Sequence, residues 1–245
     1  MPVFFIHSND VVEGVVTITD PLLTHISKSL RAKPGDSMLF NDDHGHRYQT
    51  TVVKITKHSL QANIQHVEDP PLPTRPPLIL AQALLKGEKM RWVIQKATEL
   101  GVSAILPLIT DRVILKLSGK QGETHQARWM RISVEAAQQS ERWTLPTILP
   151  LQTFQQFIES NQEHPSIIMA ERAEGISLLT IPCSTEKPGS GFTIIIGPEG
   201  GWSAEELEAA QSHKCVFASL GKEILRAETA SLAALAILQA RFNAN

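Results

Sequence analysis

Thr193-Ile194-Ile195-Ile196-Gly197-Pro198-Glu199-Gly200-Gly201-Trp202-Ser203 is the stretch that decides the fold. Four β-branched residues in a row read as a strand buried on both faces, as in a parallel sheet covered by helices. The glycines end that strand, and Ser203 with Glu206 three residues later forms a capping box that opens a helix. A glycine-rich loop between a strand and a helix sits at the carboxyl end of the strand, where open α/β sheets bind ligands. The loop has neither G-x-G-x-x-G nor G-x-x-x-x-G-K-[ST], and the Glu199 carboxylate suits phosphate poorly. A cationic or phosphate-free ligand fits better. Taken alone, the segment also reads as a tight turn that merely needs glycines.

A second loop lies downstream. Ala218-Ser219-Leu220 ends an apolar run, Gly221 to Ala227 shows no periodicity, and Glu228-Thr229-Ala230 opens an apolar helix. Loops are normally polar surface, so an Ile224-Leu225 pair inside one is unusual. It reads either as the wall of a pocket with Arg226 projecting beside it, or as a plug in the core with Arg226 paired to Glu228.

Apolar runs at 78–85, 104–109, 166–170, 192–196 and 216–220 alternate with amphipathic stretches at 88–100, 123–142, 203–213 and 228–242. The alternation predicts an α/β fold with a mostly parallel sheet. Upstream, five prolines within Pro70-Pro71-Leu72-Pro73-Thr74-Arg75-Pro76-Pro77 allow neither a helix interior nor a central strand, and divide the chain into domains 1–72 and 73–245. Short alternating or β-branched runs at 15–18, 37–40, 48–55 and 60–67 predict a small β-barrel or curved sheet before that boundary. One helix is expected there, with Asp20 as N-cap and Pro21 at its first position, ending near Arg31 before the turn Lys33-Pro34-Gly35-Asp36.

The formal charge of −2 conceals an uneven distribution. Residues 1–72 sum to −2, 73–142 to +5 and 143–245 to −5. A basic middle beside an acidic end fits a polyanion held on one face, and equally a plain solvated surface. Within 123–142, Arg128, Arg131, Glu135, Gln138 and Arg142 follow helical steps of three and four, beside an apolar stripe of Trp129, Ile132 and Ala136. Trp129 and Trp143 read as core residues more readily than as base-stacking platforms. Cys183 and Cys215, the two cysteines, have no neighbours at metal-ligand spacing, so neither a disulfide nor a zinc framework is expected. Asp42-Asp43-His44-Gly45-His46 reads as a strand-to-strand turn, and no metal site is expected. Gly189-Ser190-Gly191 is not a nucleophile elbow. The start lacks a signal-like pattern and no run approaches membrane-spanning length, which points to a soluble, cytoplasmic protein.

Five separated, collinear motifs carry a resemblance. Lys86-Gly87, Gln95-Lys96-Ala97-Thr98-Glu99-Leu100-Gly101-Val102, Glu135-Ala136-Ala137-Gln138-Gln139-Ser140-Glu141-Arg142, Ile196-Gly197-Pro198-Glu199-Gly200-Gly201, and Leu220-Gly221 with Ile224-Leu225-Arg226-Ala227-Glu228-Thr229-Ala230 resemble the RsmE family of 16S ribosomal RNA methyltransferases. The resemblance implies a SPOUT-type domain whose C-terminal trefoil knot holds S-adenosyl-L-methionine, a PUA-like N-terminal domain and a homodimer. It implies methylation at N3 of one uridine of 16S ribosomal RNA in the small ribosomal subunit, U1498 in the family. Where family members often carry arginine before the Phe-Phe pair, Val3 precedes Phe4-Phe5 here. Leu30-Arg31 and Lys33-Pro34-Gly35-Asp36 do match the family's N-terminal domain.

Joined to the residue chemistry, the resemblance assigns cofactor contacts to Ala170, Ile196, Gly197, Gly200, Gly201, Leu220, Ile224, Leu225 and Thr229. Arg31, Arg128, Arg131, Gln138 and Arg142 are assigned to RNA. Arg226 suits stabilisation of charge developing on the uracil carbonyls, because a guanidinium stays protonated and offers paired donors. Glu199, Glu228 and bulk water are the candidates for accepting the N3 proton, although a nearby guanidinium weakens a carboxylate as a base. A methyltransferase for another RNA nucleotide, a ribosome assembly factor without turnover, and an enzyme using a different nucleotide remain as alternatives, separable by what binds.

Overall fold

The computed structural model describes residues 3–114, 120–160, 165–170, 175–181 and 191–243. Cys183 and Gly189-Ser190 lie outside them. Two compact units emerge, one of residues 1–72 with 137–144, the other of 73–136 with 145–245.

In the first unit β1 (Val3–Phe5), β2 (Val11–Val12), β3 (Val15–Ile18), β4 (Ser37–Asn41), β5 (Arg47–Ile55) and β6 (Leu60–Glu68) pair in the order β1-β4-β5-β6-β3-β2. All pairings are antiparallel except β1 with β4. Period-two burial along β3 and the first half of β5 sends Val16, Ile18, Tyr48 and Val52 into a core with Phe4, Phe40 and Leu60. Each such large side chain contributes roughly 1.5–3 kcal/mol relative to exposure. Val3 is fully buried in β1. The 33–36 turn forms as read, with Lys33 N donating to Asp36 Oδ2 at 2.7 Å and Gly35 at φ +96°.

The expected helix after Asp20 is corrected by the structure. The helix α1 spans Leu22–Thr24 and continues as a π-helical turn over His25–Ser29, with Pro21 in the capping position. Asp20 caps from one residue further out, its Oδ1 accepting from Thr24 N at 3.2 Å. Arg31 follows at φ +54°, exposed and outside the helix.

The second unit is built on β7 (Leu78–Ala83), β8 (Ala104–Ile109), β9 (Thr147–Ile148), β10 (Gln152–Thr153), β11 (Ser166–Met169), β12 (Ile176–Ser177), β13 (Phe192–Ile196) and β14 (Val216–Ser219). These strands pair in parallel, in the order β10-β8-β7-β13-β11-β14-β12, with β9 also on β8. Every residue of β11 and β13 is buried, as the unbroken apolar runs require. The helices are α2 (Lys89–Glu99), α3 (Lys120–Gln139), α4 (Phe154–Ser160), α5 (Ala204–Ser212) and α6 (Ala227–Asn243). Two apolar clusters surround the sheet. One holds Val93, Ile94, Trp129, Leu235 and Leu238, the other Phe154, Phe157, Ala210 and Cys215.

The helix expected over 123–142 ends earlier, at Gln139. Glu141 adopts φ +53°, and Arg142 N donates back to Ala137 O at 3.0 Å, a left-handed termination. Arg142 therefore does not continue the face that carries Arg128, Arg131 and Gln138. Asn41, fully buried, donates through Nδ2 to the carbonyls of Arg142 and Trp143 at 2.9 and 3.0 Å, and the Arg47 guanidinium lies 4.0 Å from the centre of the Trp143 ring.

Candidate active site

Three neighbouring strands, β13, β11 and β14, end side by side, and a cavity of about 650 Å³ opens across their carboxyl ends. Ile196, Met169 with Ala170, and Ala218 to Leu220 form its floor. One rim is the loop Gly197 to Trp202, the other Gly221 to Arg226, and α6 closes the side with Ala227 and Ala230. The volume lies within the range of roughly 300–1,000 Å³ usual for small-molecule sites.

The glycines of the first loop serve internal fits. A Cβ at Gly197 would stand 3.0 Å from the Trp202 ring, whose Nε1 donates to Met169 O at 2.9 Å, so the indole backs the loop only because residue 197 has no side chain. A Cβ at Gly200 would meet Arg112 at 2.9 Å, and Gly201 sits at φ +70°. The capping box is present as read. Ser203 Oγ accepts from Glu206 N at 3.2 Å, and Glu206 Oε2 accepts from Ser203 N at 2.9 Å. The other oxygen, Oε1, accepts from Asp111 N at 2.9 Å, which ties the loop after β8 to the same helix start.

The charged groups are sorted by partner. Glu199 Oε1 accepts from Lys86 N at 3.2 Å and from Lys89 Nζ at 3.3 Å. Burial opposes its ionisation, but hydrogen bonds from its own amide, the Lys86 amide and the Lys89 ammonium outweigh that and hold the carboxyl below its ordinary value of 4.5. Lys89 Nζ also lies 3.5 Å from Glu228 Oε2, close enough for an ion pair though without hydrogen-bond geometry. Glu228 is thus matched with Lys89 and not with Arg226. Arg112 donates through Nη1 to Gly200 O at 3.1 Å. Arg226 is exposed at the rim, and among the described residues its guanidinium has no hydrogen-bond or ion-pair partner.

Of the residues expected at a cofactor site, Ala170, Ile196, Gly197, Gly200, Gly201, Leu220, Ile224 and Leu225 line this cavity, together with Glu199 and Arg226. Leu225 packs partly against the core while Ile224 is 62% exposed, so the apolar pair divides between wall and rim. Thr229 and Glu228 lie in the first turn of α6 and are not among the lining residues. The lining also includes Trp202, at the end of the loop quoted from the sequence, and Lys89 and Arg112, which the sequence reading did not single out. Only Lys89, three residues after the quoted Lys86-Gly87 pair, had a signal nearby.

Residues expected at RNA are less gathered. Arg128 and Arg131 are exposed on α3, and Arg128 Nη2 lies 3.4 Å from Glu88 Oε1. Gln138 is half-buried, and Arg142 donates through Nε to Thr144 O at 3.1 Å. Trp129 is core, as read. Asp42 accepts from the amides of His44 and His46 at 2.9 Å and from Tyr48 Oη at 2.8 Å, so its turn uses the carboxylate internally. Burial keeps the Cys215 thiol protonated, its pKa pushed up to about 11. No helix among the described residues is long and apolar enough to cross a membrane.

An RNA methyltransferase domain model matches residues 72–239, and an RNA methyltransferase PUA domain model matches 18–65. The ribosomal RNA small subunit methyltransferase E of Bacillus subtilis is 31% identical over 228 residues, covering 91% of this chain and 88% of the relative. The chain belongs to the ribosomal RNA small subunit methyltransferase E family. The family member of Synechocystis is 34% identical over 94% of this chain and 74% of its own. Among solved structures, the family member of Neisseria gonorrhoeae bound to S-adenosyl methionine superposes with a TM-score of 0.86 at 30% identity, covering 98% of both chains. A methyltransferase of Legionella pneumophila in complex with the same cofactor gives 0.89 at 28% identity, covering 98% of this chain and 97% of that one. The resemblance read from the motifs and the PUA-like domain are both borne out.

Proposed function

We propose that this chain transfers a methyl group from S-adenosyl-L-methionine to small-subunit ribosomal RNA, at N3 of a uridine of the 16S molecule. The cavity across β13, β11 and β14, with Arg226 unpartnered at its rim, is the observation that carries the reading. Its walls fit the cofactor. Ile196, Leu220 and Leu225 offer apolar side chains and leave main-chain groups to recognise an adenosine. Lys89 and Arg112, the other lining cations, are already engaged by Glu199, Glu228 and the Gly200 carbonyl, which leaves no phosphate cradle.

When bound, the cofactor supplies a methyl group on a sulfonium, which a nucleophile must approach from behind. The protein's share is positioning and charge control. The N3 proton of uracil must leave as the N3–methyl bond forms and the sulfur–methyl bond breaks. The Glu199 carboxylate is taken up by the Lys86 amide and the Lys89 ammonium, which weaken it as a base, and Glu228 faces Lys89 and is not among the lining residues, so neither is well placed to accept the proton. The proton passes to water, and Arg226 donates to a uracil carbonyl as negative charge develops on the ring. Arg31, Arg128, Arg131, Gln138 and Arg142 serve RNA contact in this reading. The C-terminal trefoil knot, the homodimer and a cytoplasmic location belong to it as well.

Calorimetric titration with S-adenosylmethionine, S-adenosylhomocysteine, ATP and NAD tests the cofactor assignment. Binding of the first two alone is expected. Binding of ATP or NAD without the first two contradicts it.

A further inference from the structure

The part of the cavity floor formed by Ala218 and Ser219 is flanked in the sheet by a segment with little structure of its own. β12 is a strand of two residues, paired through Ile176 with Ala218 and Ser177 with Ser219. Leu178 N adds one more bond, to Ser219 O at 3.1 Å. A strand this short is held by what surrounds it. What surrounds it includes the far end of α6. Arg241, in the last turn, donates through Nη1 to Leu178 O at 2.7 Å and through Nη2 to Ile181 O at 2.6 Å. The fork of one guanidinium thus fixes two carbonyls three residues apart, with charge-assisted bonds and a cation at the favourable end of the helix dipole.

The first turn of α6 lies at the cavity, through Ala227 and Ala230, and its 17 residues span about 25 Å. One helix therefore closes the side of the cavity directly and braces its floor at Ala218 and Ser219 through Arg241 and the 175–181 segment. Gly221, at φ +139°, follows two residues after Ser219 and starts the loop that carries Arg226.

We propose that Arg241 is a positioning residue for the cofactor cavity, setting the place of Ser219 to Gly221 relative to the start of α6. The proposal rests on the cavity being the S-adenosylmethionine site. Among the described residues the Arg241 guanidinium hydrogen-bonds to Leu178 O and Ile181 O and to no residue of the lining, so its hold on the cavity runs through the backbone of 175–181.

Hydrogen exchange on the cofactor-free protein, combined with S-adenosylhomocysteine titration, tests it. Arg241→Ala should speed exchange in peptides covering 175–181 and 216–221 while peptides of 3–68 are unchanged. Its affinity for S-adenosylhomocysteine should fall about tenfold, the scale of one charge-assisted hydrogen bond, with affinity for small-subunit ribosomal RNA retained. Arg241→Lys should recover only part of the loss, because an ammonium cannot reproduce the fork. Unchanged exchange with wild-type affinity would overturn the proposal, and so would faster exchange spread over the whole second unit. If the alanine variant does not fold, the lysine variant decides: full affinity overturns the clamp and partial affinity supports it. Failure of the wild-type protein to bind S-adenosylhomocysteine would remove the proposed function, and this proposal with it.

Discussion

At the scale of single residues, Arg226 is the group on which the proposed reaction depends. A donor aimed at developing charge in a site sheltered from water is commonly worth ~2.7–4 kcal/mol, a hundredfold to a thousandfold in rate. Arg226→Ala is expected to lower single-turnover methylation by about that factor with cofactor affinity largely kept, and Arg226→Lys to rescue it incompletely. Near-wild-type transfer by the alanine variant would remove the role. Glu199 behaves oppositely, as a tie. Its carboxyl is held below its ordinary value, so its contribution to stability is present above that value and lost as pH falls through the lower folded one. Glu199→Gln should therefore flatten the decline of thermal midpoint below pH 4.5, and an unchanged decline would show that the tie to Lys86 and Lys89 is unimportant. Arg226, Glu199 and the glycines were legible in the sequence because a glycine-rich loop and an apolar loop pair break local rules. Lys89 and Arg112 were not, since their places depend on chain segments about a hundred residues away in sequence coming together.

At the scale of elements, the strands were the most readable features. An unbroken apolar run such as Phe192–Ile196 has few alternatives once glycines close it. The start of α5 was equally clear, because a capping box is a local arrangement. Ser203→Ala should cost about 1 kcal/mol, the usual value of an N-cap, seen as a lower denaturation midpoint with unchanged slope. Gly197→Ala should cost more cofactor affinity than stability, since the added methyl forces apart residue 197 and the Trp202 indole, both of which line the cavity. Equal losses in both would place the effect in the core instead. Helix ends were harder to read. Glu141 entering the left-handed region ended α3 at Gln139, and Pro21 displaced the start of α1 by one residue. Neither is encoded in hydrophobic periodicity, which runs on past both points.

At the scale of the whole molecule, composition and the proline run indicated two units but not the return of 137–144 to the first. Strand order was illegible for the same reason that the cavity's lining was. Parallel neighbours are chosen by long crossovers, and nothing local to β11 says that β13 and β14 will flank it. The homodimer is expected to appear in light scattering coupled to gel filtration as about twice the chain mass of 27.0 kDa; a monomer at micromolar concentration would exclude it. The most direct measurement joins cofactor, chain and RNA in one reaction. Small-subunit particles lacking the modification are incubated with labelled S-adenosylmethionine and the protein, and the ribosomal RNA is digested to nucleosides. Label recovered as 3-methyluridine, and lost with Arg226→Ala, is the predicted result. Label in a different nucleoside, or no transfer by a protein that binds the cofactor, would contradict it.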